Sequence, residues 1–130
     1  MIEQLAEKYL LSKPETSLYY PFGDNVKVFR VKEKMFATLA LGTGNEKGTN
    51  GKMADQFCIN LKCDPDEAIM LRDIFPSVIP GYHMNKVQWN TVILDGSIPQ
   101  GEIERMIDNS YMLVVSKMTK KDQQSILVHL

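Results

Sequence analysis

The stretch GYHMNKVQWNTV, Gly81 to Val92, crowds Tyr82, His83, Asn85, Lys86, Trp89 and Asn90 into one short segment. Pro80 and Gly81 punctuate its start, and the pattern predicts two short strands, Tyr82 to Met84 and Gln88 to Leu94, joined through Asn85 to Val87. A core hairpin needs fewer donors and rings than this. Asn side chains offer donor and acceptor together, Lys supplies charge for a phosphate, and Tyr, His and Trp supply flat faces on which planar groups stack. Two uses follow from the same residues. They form a polar, partly aromatic groove, or Trp89 anchors the sheet, Asn85 and Asn90 secure a turn and Tyr82 caps an edge.

Upstream, Phe57, Ile59 and Leu61 alternate with Cys58, Asn60 and Lys62, which predicts a strand over Asp55 to Lys62. The first set faces the core and the second an open face where binding groups would be displayed. Asp64, Pro65 and Glu67 give a helix start with a side-chain cap and a proline preset for the first turn, and that helix should run to about Asp73. Val26 to Val31 and Lys34 to Leu41 read as strands around a tight turn at Lys32 and Glu33. Gly42 to Lys52, GTGNEKGTNGK, reads as a mobile hairpin loop, while Glu15 to Asn25 reads as irregular.

Ile2, Leu5, Ala6, Tyr9 and Leu10 recur at helical spacing and stop before Pro14. Ser97 and Pro99 open another helix whose apolar stripe, Ile103 through Val115, continues almost to Lys117. The short apolar end, Ile126 to His129, is open between a strand, more helix and a frayed tail. The order α-β-β-β-α-β-β-α predicts an α+β fold, an antiparallel sheet with helices packed on one face. The chain of 130 residues is the size of one domain, and its apolar share of 44% and charged share of 24% are ordinary globular values.

No run approaches the roughly 18 continuous apolar residues of a membrane span, and Glu3 and Glu7 stand where a secretory signal carries bases. The expectation is a cytoplasmic protein with no membrane partner, in which Cys58 and Cys63 are free thiols. Net charge is −1, so any nucleic-acid contact must come from a local patch. The candidate lysines are Lys32 and Lys34 at one turn, Lys47 and Lys52 in the loop, Lys62, Lys86, and Lys117, Lys120 and Lys121 near the end. Acids interleave with them along the chain, as on any solvated surface.

Other chemistries lack their residues. Lys52 follows Gly51, but Glu46 stands where a Walker A motif needs glycine and Met53 replaces its hydroxyl residue. His83 is the one interior histidine, and no set of His, Cys and carboxylates has metal-ligand spacing. No nucleophile elbow or paired catalytic carboxylates can be read. The expectation is therefore a non-enzymatic module with no cofactor, no metal and no catalytic residue; nothing in the sequence specifies an oligomeric state.

Five blocks carry a family resemblance: PFG (Pro21 to Gly23), KMFATL (Lys34 to Leu39), NLKCDP (Asn60 to Pro65), PGYHMNKVQWNTV (Pro80 to Val92) and DNSYMLVVSKMTKK (Asp108 to Lys121). Through them the chain resembles the MmcQ/YjbR family, small bacterial proteins. The resemblance implies a fold like that of the frataxin homologue CyaY and a double-wing DNA contact, with Lys32, Lys34 and the Gly42 to Lys52 loop as wing positions. Relatives commonly carry a second histidine before the tryptophan, where this chain has Gln88. The iron chemistry of frataxins is not implied, since the first helix offers only Glu3 and Glu7 as an acidic ridge. The candidate nucleic-acid or ligand-binding set is Lys32, Lys34, Lys52, Asn60, Lys62, Tyr82, His83, Asn85, Lys86, Trp89 and Asn90. The expected partner is DNA, held weakly; the alternative is a protein or a small anionic or planar ligand with no nucleic-acid role.

Overall fold

Strand alternation sets the two sides of the molecule. In the computed structural model, which describes residues 2–128, Phe29 and Val31, Leu39, Ile59 and Leu61, and Val92 point to one face of a sheet and pack with the helices into one large core. The elements run α1 (Ile2–Leu11), β1 (Thr16–Tyr19), β2 (Val26–Val31), β3 (Lys34–Leu41), β4 (Phe57–Lys62), α2 (Pro65–Ile74), β5 (Val78–Pro80), β6 (Trp89–Ile93), α3 (Gln100–Val115) and α4 (Lys120–Leu127). The six strands form one antiparallel sheet in the order β1-β2-β3-β4-β6-β5. The protein is thus α+β, as the patterning predicts.

Three elements differ from the sequence reading. The irregular segment after Pro14 contains β1, an edge strand of four residues paired to β2 from Thr16–Val31 to Tyr19–Val28. So short a strand has too few positions to show alternation, and its pairing is a tertiary effect. The strand before β6 is β5, Val78–Pro80, and Tyr82 to Met84 form turns instead. The chain end is helical through Leu127, with Ile126 fully buried in the core; His129 lies outside the described residues. Thr119 caps α4, its Oγ1 accepting from Asp122 N.

A register shift in β3 fixes how the helices sit. Phe29 pairs with Ala37 and Arg30 with Met35, so Phe36 is an extra residue and both Phe36 and Ala37 reach the helix-side core. The Phe36 ring meets Tyr111 of α3 edge-on, with centroids 5.3 Å apart and planes at 83°. Next to it the wholly buried Ser110 hydroxyl donates to Phe36 O at 2.5 Å and accepts from Lys62 N at 2.9 Å. One side chain thereby satisfies a carbonyl of β3 and an amide of β4. Ser110→Ala should lower stability by about 3 kcal/mol, because two buried backbone groups lose their partner at once. Urea denaturation checks this, with a loss under about 1 kcal/mol showing the bridge dispensable.

Candidate functional site

On the face away from the helices, β3, β4 and β6 place Thr38, Asn60 and Thr91 side by side in register. Their side chains form a directed chain. Tyr82 N donates to Thr91 Oγ1 at 2.9 Å, Thr91 Oγ1 donates to Asn60 Oδ1, and Asn60 Nδ2 donates to Thr38 Oγ1 at 3.0 Å. An amide nitrogen carries two protons and a hydroxyl one, so the second Asn60 N–H and the Thr38 O–H remain as donors. They lie in the lining of a groove of about 690 Å³, with Met35, Met53, Met84, Phe22, Tyr82 and His83 among its other walls.

Two loops build those walls. The segment between β3 and β4, expected as a mobile hairpin loop, does join two antiparallel neighbours, and it is a series of turns folded back on the sheet. Met53 is buried there with Cys58 and Ile93 in a second small core that Ile79 and Tyr82 flank. Gly42 is required at the loop's entry: an added Cβ would lie 1.9 Å from Met53 O. Glu46 ties the loop together, accepting from Thr43 N and Gly44 N at 2.9 Å each and from Thr43 Oγ1 at 3.0 Å. The Thr43 amide leads these bonds in holding its carboxyl below the usual glutamate range, against the opposing effect of burial. Lys47 N donates to Tyr82 Oη, joining the two loops over the groove. Lys52 sits exposed on this loop and lines neither the groove nor the lysine cluster below.

The 81–88 connection is mostly self-supporting. Asn85 Oδ1 accepts from Val87 N and Gln88 N, and Lys86 Nζ donates to Gly81 O at 3.0 Å. Trp89 is only 8% exposed and Asn90 only 2%, so these two candidates are architecture and not displayed. Arg72 of α2 holds them. Its guanidinium donates from Nε to Asn90 Oδ1 at 2.7 Å and from Nη2 to the carbonyls of Lys86 and Trp89. Of the aromatic candidates Tyr82 and His83 reach the groove, their rings 4.1 Å apart and tilted by 49°. His83 has φ of 60°, a left-handed conformation uncommon for a side-chain-bearing residue.

A second concavity opens at the end of the sheet where the β2–β3 turn, the last residue of β4 and the α3–α4 junction meet. It measures about 470 Å³ and is lined by Lys32, Lys34, Met35, Lys62, Val114, Lys117, Met118, Thr119 and Asp122. Lys32 pairs with Glu15 at 3.2 Å. Among the described residues Lys34, Lys62 and Lys117 have no carboxylate within ion-pair distance. Partial burial and then the neighbouring Lys117 charge pull the Lys62 amine below the usual lysine range. Met35 lines both concavities, which are therefore adjacent.

The structure thus brings together Lys32, Lys34 and Lys62 in one place and Asn60, Tyr82 and His83 in another beside it. Sequence reasoning missed the roles of Thr38, Thr91 and Arg72, and it had Lys117 only as one scattered lysine. Strand register would have offered Thr38 and Thr91 as cross-strand neighbours of Asn60, but no local signal marks Arg72. Elsewhere, a larger depression, about 1110 Å³ between α1 and β3, is lined by charges of both signs that include the Lys27–Glu7 ion pair. The thiols of Cys58 and Cys63 are free and buried, and desolvation pushes them up to about 12 and about 11, which leaves them unreactive at neutral pH. No helix among the described residues is long and apolar enough to cross a membrane.

The fold and the paired concavities define an α+β protein with one sheet face covered by helices and the other half open. The family model YjbR matches residues 11–113, and the chain belongs to the YjbR family. The uncharacterized protein YbdF of Escherichia coli O157:H7 is 30% identical over 125 residues, which are 96% of this chain and 93% of that one. The uncharacterized protein YjbR of Escherichia coli K12 is 38% identical over 72 residues, 55% of this chain and 60% of that one. Among solved structures, the Deinococcus radiodurans protein DR2400 aligns with a TM-score of 0.77 at 31% identity, covering 92% of this chain and 83% of that one. A Pseudomonas syringae protein aligns with a TM-score of 0.74 at 32% identity, covering 85% and 96%.

Replacing Arg72 by alanine strands Asn90 Oδ1 in the interior and frees the two loop carbonyls. The expected cost is about 2 kcal/mol, with faster amide exchange confined to residues 85–90. Uniform acceleration across the sheet would show that Arg72 supports the whole fold and not this loop.

Proposed function

We propose that this protein is a non-enzymatic, cytoplasmic nucleic-acid-binding module whose contact is the cluster of Lys32, Lys34, Lys62 and Lys117. The single observation that carries this is the convergence of three lysines without acidic partners around one depression. Partial burial first, and then repulsion from the like charge of Lys117, lower the proton affinity of Lys62. A phosphate oxygen placed among them relieves the repulsion and releases counterions from the nucleic acid. Of the two wing positions that the family resemblance implies, the Lys32–Lys34 turn lines the cluster, whereas the 42–55 loop folds against the sheet. Affinity should be modest, since few lysines contribute and net charge is −1.

A second reading rests on the groove. Its volume of about 690 Å³ falls within the range of small-molecule sites, and its walls are largely apolar with a few convergent donors. On that reading a planar, neutral compound raises the melting temperature and added DNA does nothing.

Fluorescence anisotropy with labelled DNA at rising salt tests the first reading. Affinity should fall with salt, and Lys34→Ala or Lys62→Ala should each make the log-log slope shallower by about one. Absence of saturable binding at low salt would remove it.

The proton affinity of Lys62 gives a second check. Phosphate binding favours its charged form, so this part of the affinity is present below its pKa in the free protein and lost as pH rises through it. The decline therefore begins below the ordinary lysine value of about 10.4. Lys62→Arg keeps its charge throughout and should remove the Lys62 share of the alkaline decline.

A further inference from the structure

The groove and the lysine cluster share Met35 as a wall, and Asn60 and Lys62 lie two residues apart on β4. Alternate residues of a strand share a face at a spacing of about 7 Å. That spacing is comparable to the span from a nucleobase to the phosphate of its own nucleotide. A duplex keeps its bases stacked and shows only their edges in its grooves, so no ring could enter the pocket beside Met35 and it would use the cluster alone. A single strand can splay a base out.

We infer that the ligand is a single-stranded nucleic acid, which sets a phosphate among Lys34, Lys62 and Lys117 and turns the adjoining base into the groove with a carbonyl on Asn60 and Thr38. This rests on the phosphate-binding reading above and specifies the form of nucleic acid it takes. The direction of the hydrogen-bond chain decides the base chemistry. Tyr82 N–H is fixed as a donor, the chain runs from it through Thr91 and Asn60 to Thr38, and at its end two protons remain beside a single Thr38 lone pair. The groove floor therefore recognises an acceptor. A carbonyl oxygen of thymine, uracil, cytosine or guanine has two lone pairs and can accept both protons, whereas each acceptor nitrogen of adenine has only one.

Charge and shape agree with a neutral ring. Glu46 lines the same groove, but its carboxylate is committed to the amides of its own loop, so an anion would gain nothing by entering. Tyr82 and His83 supply ring faces at the wall, and Phe22, largely exposed, stands at its margin. Base stacking on such faces tolerates any sequence, so selectivity falls to the floor donors.

The experiment measures binding of three ligands of about ten nucleotides, oligo-dT, oligo-dA and a mixed-sequence duplex, to the full chain and to Thr38→Val. For the wild type oligo-dT should bind roughly five- to tenfold tighter than oligo-dA, and tighter than the duplex, at matched salt. In Thr38→Val, which keeps the side-chain shape, the dT-to-dA ratio should shrink towards one while the salt slope stays the same. Self-stacking of adenines is identical for both proteins, so a change in the ratio belongs to the site. Equal affinity of the wild type for oligo-dT and oligo-dA, or a preference for duplex, overturns the inference while lysine-dependent binding leaves the reading beneath it intact. No saturable binding of any of the three ligands fails both.

Discussion

The buried hydroxyl of Ser110 is the constraint on which the working end of this molecule depends. It takes a carbonyl from β3 and an amide from β4 where those strands approach α3, next to the extra residue Phe36. A bulge frees backbone groups from the ladder, and freed groups inside a protein must be paired or they cost as much as a lost hydrogen bond. Ser110 pairs them, so the bulge is retained. The bulge turns Phe36 and Ala37 together towards the helices and leaves Met35 and Thr38 on the opposite face. Without that shift Met35 would not divide the two concavities.

Lys62 illustrates how backbone order becomes surface chemistry. Its amide is held by Ser110 while its side chain, on the same face as Asn60, extends towards Lys117 beyond the end of α3. The α3–α4 junction is what brings Lys117 there, and α4 is in turn anchored by the fully buried Ile126. A terminal helix of eight residues is too short to persist alone, so its docking against the core determines its existence. The lysine cluster is thus assembled from a turn, a strand end and a helix junction far apart in the chain.

Much of the architecture was legible because alternation and helical spacing are local. β2, β3 and β4, the first helix, the capped start of α2 and the long stripe of α3 all announce themselves over windows long enough to count. Asp64 caps α2 through Asp66 N, and Glu67, read with it as part of the helix start, pairs with Arg105. The site was less legible, because exposure is a property of neighbours. Trp89 and Asn90 are as rich in ring and polar groups as Tyr82 and His83, yet one pair is interior and the other lines a groove. What decides between them is Arg72, whose guanidinium reaches from another element and has no counterpart in the local pattern. Thr38 and Thr91 looked like ordinary strand residues; register alone places them beside Asn60.

Net charge conceals the same division. Acids and bases nearly balance over the whole chain, but the balance is not uniform in space. Away from the cluster, Lys27 is taken by Glu7, Lys13 by Asp108, and Arg105 by both Glu67 and Glu102. Lys13 also lies over the Tyr9 ring, and Asp108 holds its proton affinity above the ordinary lysine value despite the opposing effect of burial. Each such pair adds little to stability at a surface, but it removes one acid from the pool that would otherwise neutralise lysines elsewhere. Among the described residues, Asp122 in the lining of the 470 Å³ depression and the Glu15 that binds Lys32 stand against four lysines. Screening confines any field to about 8 Å at physiological salt, so a partner senses this excess and not the chain's overall negative charge.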